Sequence, residues 1–401
     1  MDITADKQCS TELNKKKQSS RIPSLDIARL LAMLMMVQGH TIYCLLDTNI
    51  INSGLWYWNT WTFIRGITAP VFLMVSGAVH IFANKRNEYG KIKKETIKKR
   101  FKTCGRLLII GYLMQFPVSN LFDLPFIDIN SWYAFFKVNV LQMFAASISI
   151  LTILYIVTRK NSTLAIISFI LGNIIIFSSP FVLTIKWFDI LPIPFASFLS
   201  MEHRTIFPIF PFTAYLLIGT TVGYLVQKQP QERRTFYIAT RLLIGGIFYI
   251  LLSYLFKYTF CINLNADSCL SQSPISPVLI IMRVGLAMLA ISVAAWICLF
   301  FEKLKNPKWW ISLENIIGMF SKRALFIYVI HLIVIYGSPI SPGIRHFFYQ
   351  ADVFTALYCA FFVIFITMLI VYIYDKTFSK IHFMQFYKYL IVALLIYMLF
   401  I

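Results

Sequence analysis

The chain has 401 residues, 58% of them hydrophobic, with 37 Lys and Arg against 17 Asp and Glu. A mean hydropathy of +0.71 excludes an ordinary soluble domain. A net charge of +20 would suit a nucleic-acid binder if the charge were clustered on one domain, but it is dispersed over short segments between long apolar runs. The expectation is an all-α polytopic membrane protein of about ten or eleven transmembrane helices, with no nucleic-acid partner and lipid around it.

In chain order, residues 1–24 read as a polar cytoplasmic tail, and residues 25–401 as one transmembrane domain. Met1–Arg21 is polar and lysine-bearing, so the first span is expected to act as an uncleaved anchor. Eleven spans fit: 25–46, 60–83, 104–122, 134–157, 162–183, 209–227, 236–257, 275–301, 322–338, 353–374 and 385–401. Basic residues fall on alternate connections: Lys15–Lys17, Lys85–Arg106, Arg159–Lys160, Lys228–Arg234, Lys303–Lys308 and Lys376–Lys388. The other connections carry few, namely Lys186, Arg204 and Arg345. The positive-inside rule then puts the N-terminus in the cytoplasm.

The first span, SLDIARLLAMLMMVQGHTIYCLL, carries Asp26, Arg29 and His40. Asp26 and Arg29 are three residues apart. Arg29 and His40 are eleven apart, about three turns and roughly 16 Å of rise, so all three share one helix face. Ionisable groups inside a membrane helix are costly and ordinarily face a functional interior. Asp26 is expected to hold Arg29. The loop Asn84–Arg106 carries ten Lys and Arg residues. It reads as a surface element on anionic lipid, and equally as a mouth that attracts a polyanion.

In the second span, Arg65 lies near the outer end, at a depth similar to His40. Ser76 lies on the same face, and reads as a backbone-bonded serine. Gly66, Ala69, Gly77 and Ala78 would permit close helix contact. Gln142 opens the fourth span as a buried amide. Prolines 192, 194, 208 and 211 break the outer segment that offers His203 and Arg204. The ninth span places Tyr328 and His331 on one face, whereas His80, His346 and His382 read as interfacial. Cys261 and Cys269 share an outer loop and would pair only in an oxidising compartment. No cysteine or histidine spacing suggests a metal site.

Two chemistries fit these groups. One is acyl transfer from a cytosolic thioester, with a histidine as general base or transient acyl carrier and an arginine or amide on the oxyanion. The other is transport of a small anionic or proton-coupled solute. Spacing alone does not separate them.

Four separated pieces carry a resemblance. They are Arg21-Ile-Pro-Ser-Leu-Asp-Ile-Ala-Arg29 followed by ten residues and His40; Arg65-Gly-Ile-Thr-Ala-Pro-Val-Phe-Leu-Met-Val-Ser-Gly77; Phe207-Pro-Ile-Phe-Pro-Phe followed by Gly219 and Gly223; and Ser321 through Leu325-Phe-Ile-Tyr-Val-Ile-His331. Val140-Leu-Gln142 adds to them. In this order they resemble the transmembrane acyltransferase superfamily. The chain is most similar to bacterial relatives of the heparan-alpha-glucosaminide N-acetyltransferase catalytic domain, and more distantly to acyltransferase family 3. The resemblance implies an inner-membrane, multi-pass enzyme with no permanently bound cofactor. It would move an acyl group, commonly acetyl, from cytosolic coenzyme A to a hydroxyl or amine of a glycan or other envelope acceptor. It makes His40 the catalytic residue with Arg29 as its partner. Arg65 joins them as the oxyanion or acceptor group, and Asp26, Gln142, His203, Tyr328 and His331 stand as supporting positions. Two departures matter. Ala28-Arg29-Leu30 stands where many relatives have Arg-Gly, and Leu46–Trp58 lacks the further functional histidine of heparan-type members. Heparan chemistry is therefore not implied.

Overall fold

The long apolar runs become long helices, because only a helix satisfies its own backbone away from water. A computed structural model describes residues 21–84, 86–118, 120–262, 276–303, 307–338 and 341–377. The expected span 385–401, the tail before Arg21, His382 and the proposed Cys261–Cys269 pair lie outside the described residues or side chains.

The helices are α1 (Pro23–Leu45), α2 (Thr48–Ile51), α3 (Trp56–Arg65), α4 (Thr68–Ala83), α5 (Lys94–Leu113), α6 (Ile129–Phe136), α7 (Val140–Val157) and α8 (Asn161–Thr184). They continue as α9 (Ile193–Leu199), α10 (Ile209–Gln227), α11 (Arg234–Phe256), α12 (Pro277–Lys303), α13 (Pro307–Lys322), α14 (Ala324–Tyr336), α15 (Ile344–Phe348) and α16 (Val353–Thr377). A minimal hairpin pairs Gly337–Ser338 with Ser341–Pro342. The protein is an all-α, multi-pass membrane protein. Among the described residues eight helices are long and apolar enough to cross a membrane, or nine if α13 and α14 count as one bent span.

The differences from the expected spans have local causes. The basic loop does not lie flat as a separate element: its second half is the first half of α5, which ends at Leu113, before Pro117. That helix carries too much charge to count as an apolar span. The second span starts earlier, at Trp56, and breaks between Arg65 and Thr68. The ninth is a helix of 13 residues set at 70° to α13.

α1 is the element around which the others gather. It packs against α4, α12, α13, α14 and α16. The tightest crossing is between α4 and α10. A Cβ on Gly77 would strike the Leu216 backbone, one on Gly219 the Met74 backbone, and one on Gly223 the Ala78 backbone. Lipid tails supply no hydrophobic drive between helices, so such backbone proximity is a main source of their association. Gly246 and Gly285 do the same for α11 and α12. The far end of α1 is tied to the segment just before α16 by paired backbone bonds, Ala351 N–H to Leu45 at 2.8 Å and Asp47 N–H to Ala351 at 3.2 Å.

Several polar groups at the basic end are paired. Asp26 does not hold Arg29, contrary to expectation. Its carboxylate accepts from Arg21 Nε at 2.6 Å and from Ser321 Oγ at 2.7 Å, across to α13. Arg21 also donates to the Glu314 carbonyl, and its guanidinium fills the notch left by Gly318. Arg86 donates to the carbonyls of Tyr155 and Thr158, so a cation closes the C-terminus of α7. His80 is buried rather than interfacial. Its Nδ1 donates to the Ser76 carbonyl at 2.8 Å, and Arg100 donates to its Nε2 at 3.2 Å.

Candidate active site

Two apolar stripes bring two histidines together. Met33 and Val37 on α1 pack with Ile327 and Ile335 on α14 and with Val363 and Val371 on α16. His40 follows Val37 by three residues. His331 lies four residues from both Ile327 and Ile335. When the stripes close, the imidazoles meet. His331 Nε2 lies 3.5 Å from His40 Nδ1, with ring centroids 5.3 Å apart. His331 is completely buried and His40 is half-buried. The edge of Tyr328 rests on His331, with centroids 5.4 Å apart.

The partners decide the protons. His331 Nδ1 lies 2.9 Å from the Ile327 carbonyl, which only accepts, so Nδ1 carries the hydrogen. In a neutral ring Nε2 is then a lone pair. It orders the contact by accepting from His40 Nδ1–H. That leaves His40 Nε2 as a lone pair on the more open ring. This is the arrangement a general base or an acyl-accepting nitrogen requires, with the buried histidine fixing the tautomer. The 3.5 Å separation is long, as catalytic contacts often are before substrate binds.

Arg65 runs beside this pair. A Cβ on Gly39 would lie 2.9 Å from its Cγ, and its Cζ stands 4.3 Å from the Tyr43 ring centroid and 4.9 Å from that of Trp61. The side chain thus climbs one turn beyond His40, toward the far end of α1.

The other expected positions divide. Arg29 Nε is buried with no hydrogen-bond partner among the described residues, on the same α1 face as His40. Both amide atoms of Gln142 are likewise buried and unpartnered among them, and its carboxamide sits against Gly111 of α5. His203 joins a separate cluster. It stacks flat on Tyr133 at 3.6 Å, meets the edge of Phe188, and makes no contact with His40 or His331. One group escaped the sequence reading. Arg283 of α12 places its Nη2 2.7 Å from where a Cβ on Gly66 would stand, and its Nε is buried without a partner among the described residues. An arginine inside a span was the available signal.

Cys298, Glu302 and Glu314 bring their ligand atoms within 4.8 Å of one another, but Glu302 is exposed and the group lies at the other end of α12 from Arg283.

Comparison with curated proteins and with solved structures gave no match. A family model described as heparan-alpha-glucosaminide N-acetyltransferase, catalytic, matches residues 21–251. That range is more than half of the chain and contains Arg29, His40, Arg65 and Gln142, while His331 lies beyond it. The chain belongs to the heparan-alpha-glucosaminide N-acetyltransferase catalytic family, whose activity is transmembrane acetyl transfer.

Proposed function

We propose that the protein moves an acyl group, most simply acetyl, from a coenzyme A thioester at the basic end of the bundle to a hydroxyl or amine of a glycan or other envelope acceptor at the far end. The basic end faces the cytoplasm of a plasma-membrane enzyme, in accord with the positive-inside rule. The observation that carries the reading is the His40–His331 contact, with its lone pair on the half-buried ring.

The donor uses Arg29 and the basic residues of α5, and its pantetheine arm follows the α1 face. The roughly 16 Å from Arg29 to His40 suits an extended arm. His40 Nε2 takes the proton of the acceptor hydroxyl or amine as the acceptor attacks the thioester carbonyl. The carbon–sulfur bond breaks, and the same proton passes from His40 to the leaving thiolate. In a two-step route His40 Nε2 first displaces the coenzyme A thiolate from the acyl carbon, and the acceptor then displaces His40 from that carbon and gives up its proton, which protonates the thiolate. Arg65 sits a turn beyond His40, which suits orienting the acceptor better than reaching the thioester carbonyl. Tyr328 and His331 hold the back of the site, and Gln142 offers an unpaired amide. His203 belongs to an outer layer that a large acceptor would meet first.

The test is binding and hydrolysis of acetyl-coenzyme A by detergent-purified protein, parent beside His40→Ala. Saturable binding, with slow coenzyme A release lost in the variant, is the expected result. Well-folded protein that binds no thioester, or solute flux that depends on His40 without coenzyme A release, overturns it in favour of transport.

A further inference from the structure

The far-end mouth of the His40 site is lined by guanidiniums that meet no acid among the described residues. Arg65 lies over Tyr43 and Trp61. Arg345 of α15 lies over Tyr336 at 5.9 Å and over Tyr349 at 5.4 Å. Tyr336 in turn lies beside Cys44, one turn past His40 on α1, and near Tyr43. The two arginine–tyrosine pairs therefore both lie beside the last turn of α1, at Tyr43 and Cys44. Arg283 comes in beside Gly66, the residue after Arg65, with its Nε buried and unpartnered among the described residues.

Three described acids at this end are engaged locally. Asp47, Asp128 and Asp352 each accept a backbone N–H at the start of a helix. Both ion pairs among the described residues, Arg21–Asp26 and Arg323–Asp375, lie at the basic end. No described carboxylate pairs with Arg65, Arg283 or Arg345. An unpaired guanidinium within a span, as at Arg65 and Arg283, is costly, while Arg345 is exposed; a guanidinium lying on a ring face keeps its in-plane N–H donors free at its edge. Those donors match the two oxygens of a phosphate or carboxylate.

We infer that this mouth is an oxyanion-binding subsite formed by Arg65, Arg345 and Arg283, and that the acceptor carries a phosphate or carboxylate beside the hydroxyl or amine that is acylated. The inference rests on the acyl-transfer reading and adds the acceptor's charge to it.

The experiment is coenzyme A release from acetyl-coenzyme A by the detergent-purified full chain, given glucose, glucose 6-phosphate or glucuronate as soluble acceptors. The two anions separate phosphate from carboxylate. Either anion is expected to accelerate release saturably, with a KM at least about tenfold below that of glucose, as expected when a charge-assisted hydrogen bond is gained. The anion's KM should rise with added salt while that of glucose stays level. Arg345→Gln should raise the anion's KM about tenfold with a smaller change in kcat, and Arg345→Lys should recover part of the loss. Arg65→Gln gives a second variant if Arg345→Gln does not fold. Equal use of glucose and the anions overturns the subsite, as does an unchanged KM in both glutamine variants. So does acceleration by no acceptor while His40-dependent hydrolysis persists, which leaves the acyl-transfer reading standing. Absence of any donor reaction in the parent overturns both.

Discussion

The two ends of α1 handle charge in opposite ways. At its start, Asp26 is held by Arg21 and Ser321, and Arg86, Arg100 and Arg323 have partners, so that Arg29, with its buried Nε unpartnered among the described residues, is the exception there. Toward its far end, His40, Arg65 and Arg283 gather without a carboxylate among the described residues. Charge that is fully paired holds helices in register. Charge left unpaired in the same fold costs stability and marks where a ligand completes the site.

The contrast can be broken by substitution. His40→Ala should cost about 10²–10⁴-fold in acyl transfer, the usual range for losing a positioned acid–base group, with the protein still monodisperse. Activity within tenfold of the parent would remove His40 from the chemistry. Gly219→Leu tests the scaffold instead. Its side chain has no room against the Met74 backbone, so a stability loss of about 3 kcal/mol or more is expected, read as lost monodispersity in detergent.

Smaller effects sharpen the comparison. Asp26→Ala strands Arg21 and Ser321 together and should destabilise by about 1–3 kcal/mol in thermal unfolding. Gln142→Leu acts the other way. It removes an amide with no partner among the described residues, so the unliganded protein should gain about 1 kcal/mol while acyl transfer falls. A destabilised Gln142→Leu would show that the amide has a structural partner. The Arg323–Asp375 pair is partly exposed, so a double-mutant cycle should give a coupling below about 1 kcal/mol and no change in activity.

Much of the scaffold was legible. Apolar run length matched α1, α8, α10, α11, α12 and α16 closely, because hydropathy and helical hydrogen bonding are local properties, while the expected span 134–157 is broken between Phe136 and Val140. The face shared by Arg29 and His40 followed from helical period alone. Errors fell where charge or packing outweighed apolar length. The basic stretch Lys94–Arg106 continues into a helix that apolar scanning started ten residues late, and the ninth span bends after Lys322. His80, read as interfacial, is buried because Ser76 and Arg100 reach both of its ring nitrogens.

By itself, the sequence determined that this is a multi-span helical membrane protein, that Arg29 and His40 lie on one stripe of its first helix, and that Gly77 allows close contact. Only the tertiary structure decided that His331 stands behind His40, that Asp26 pairs with Arg21 and Ser321 rather than Arg29, and that Arg283 belongs beside Arg65. Those pairings join residues far apart in the chain. Helical period says which side chains share a face, but the partner of that face is chosen by how helices pack against one another.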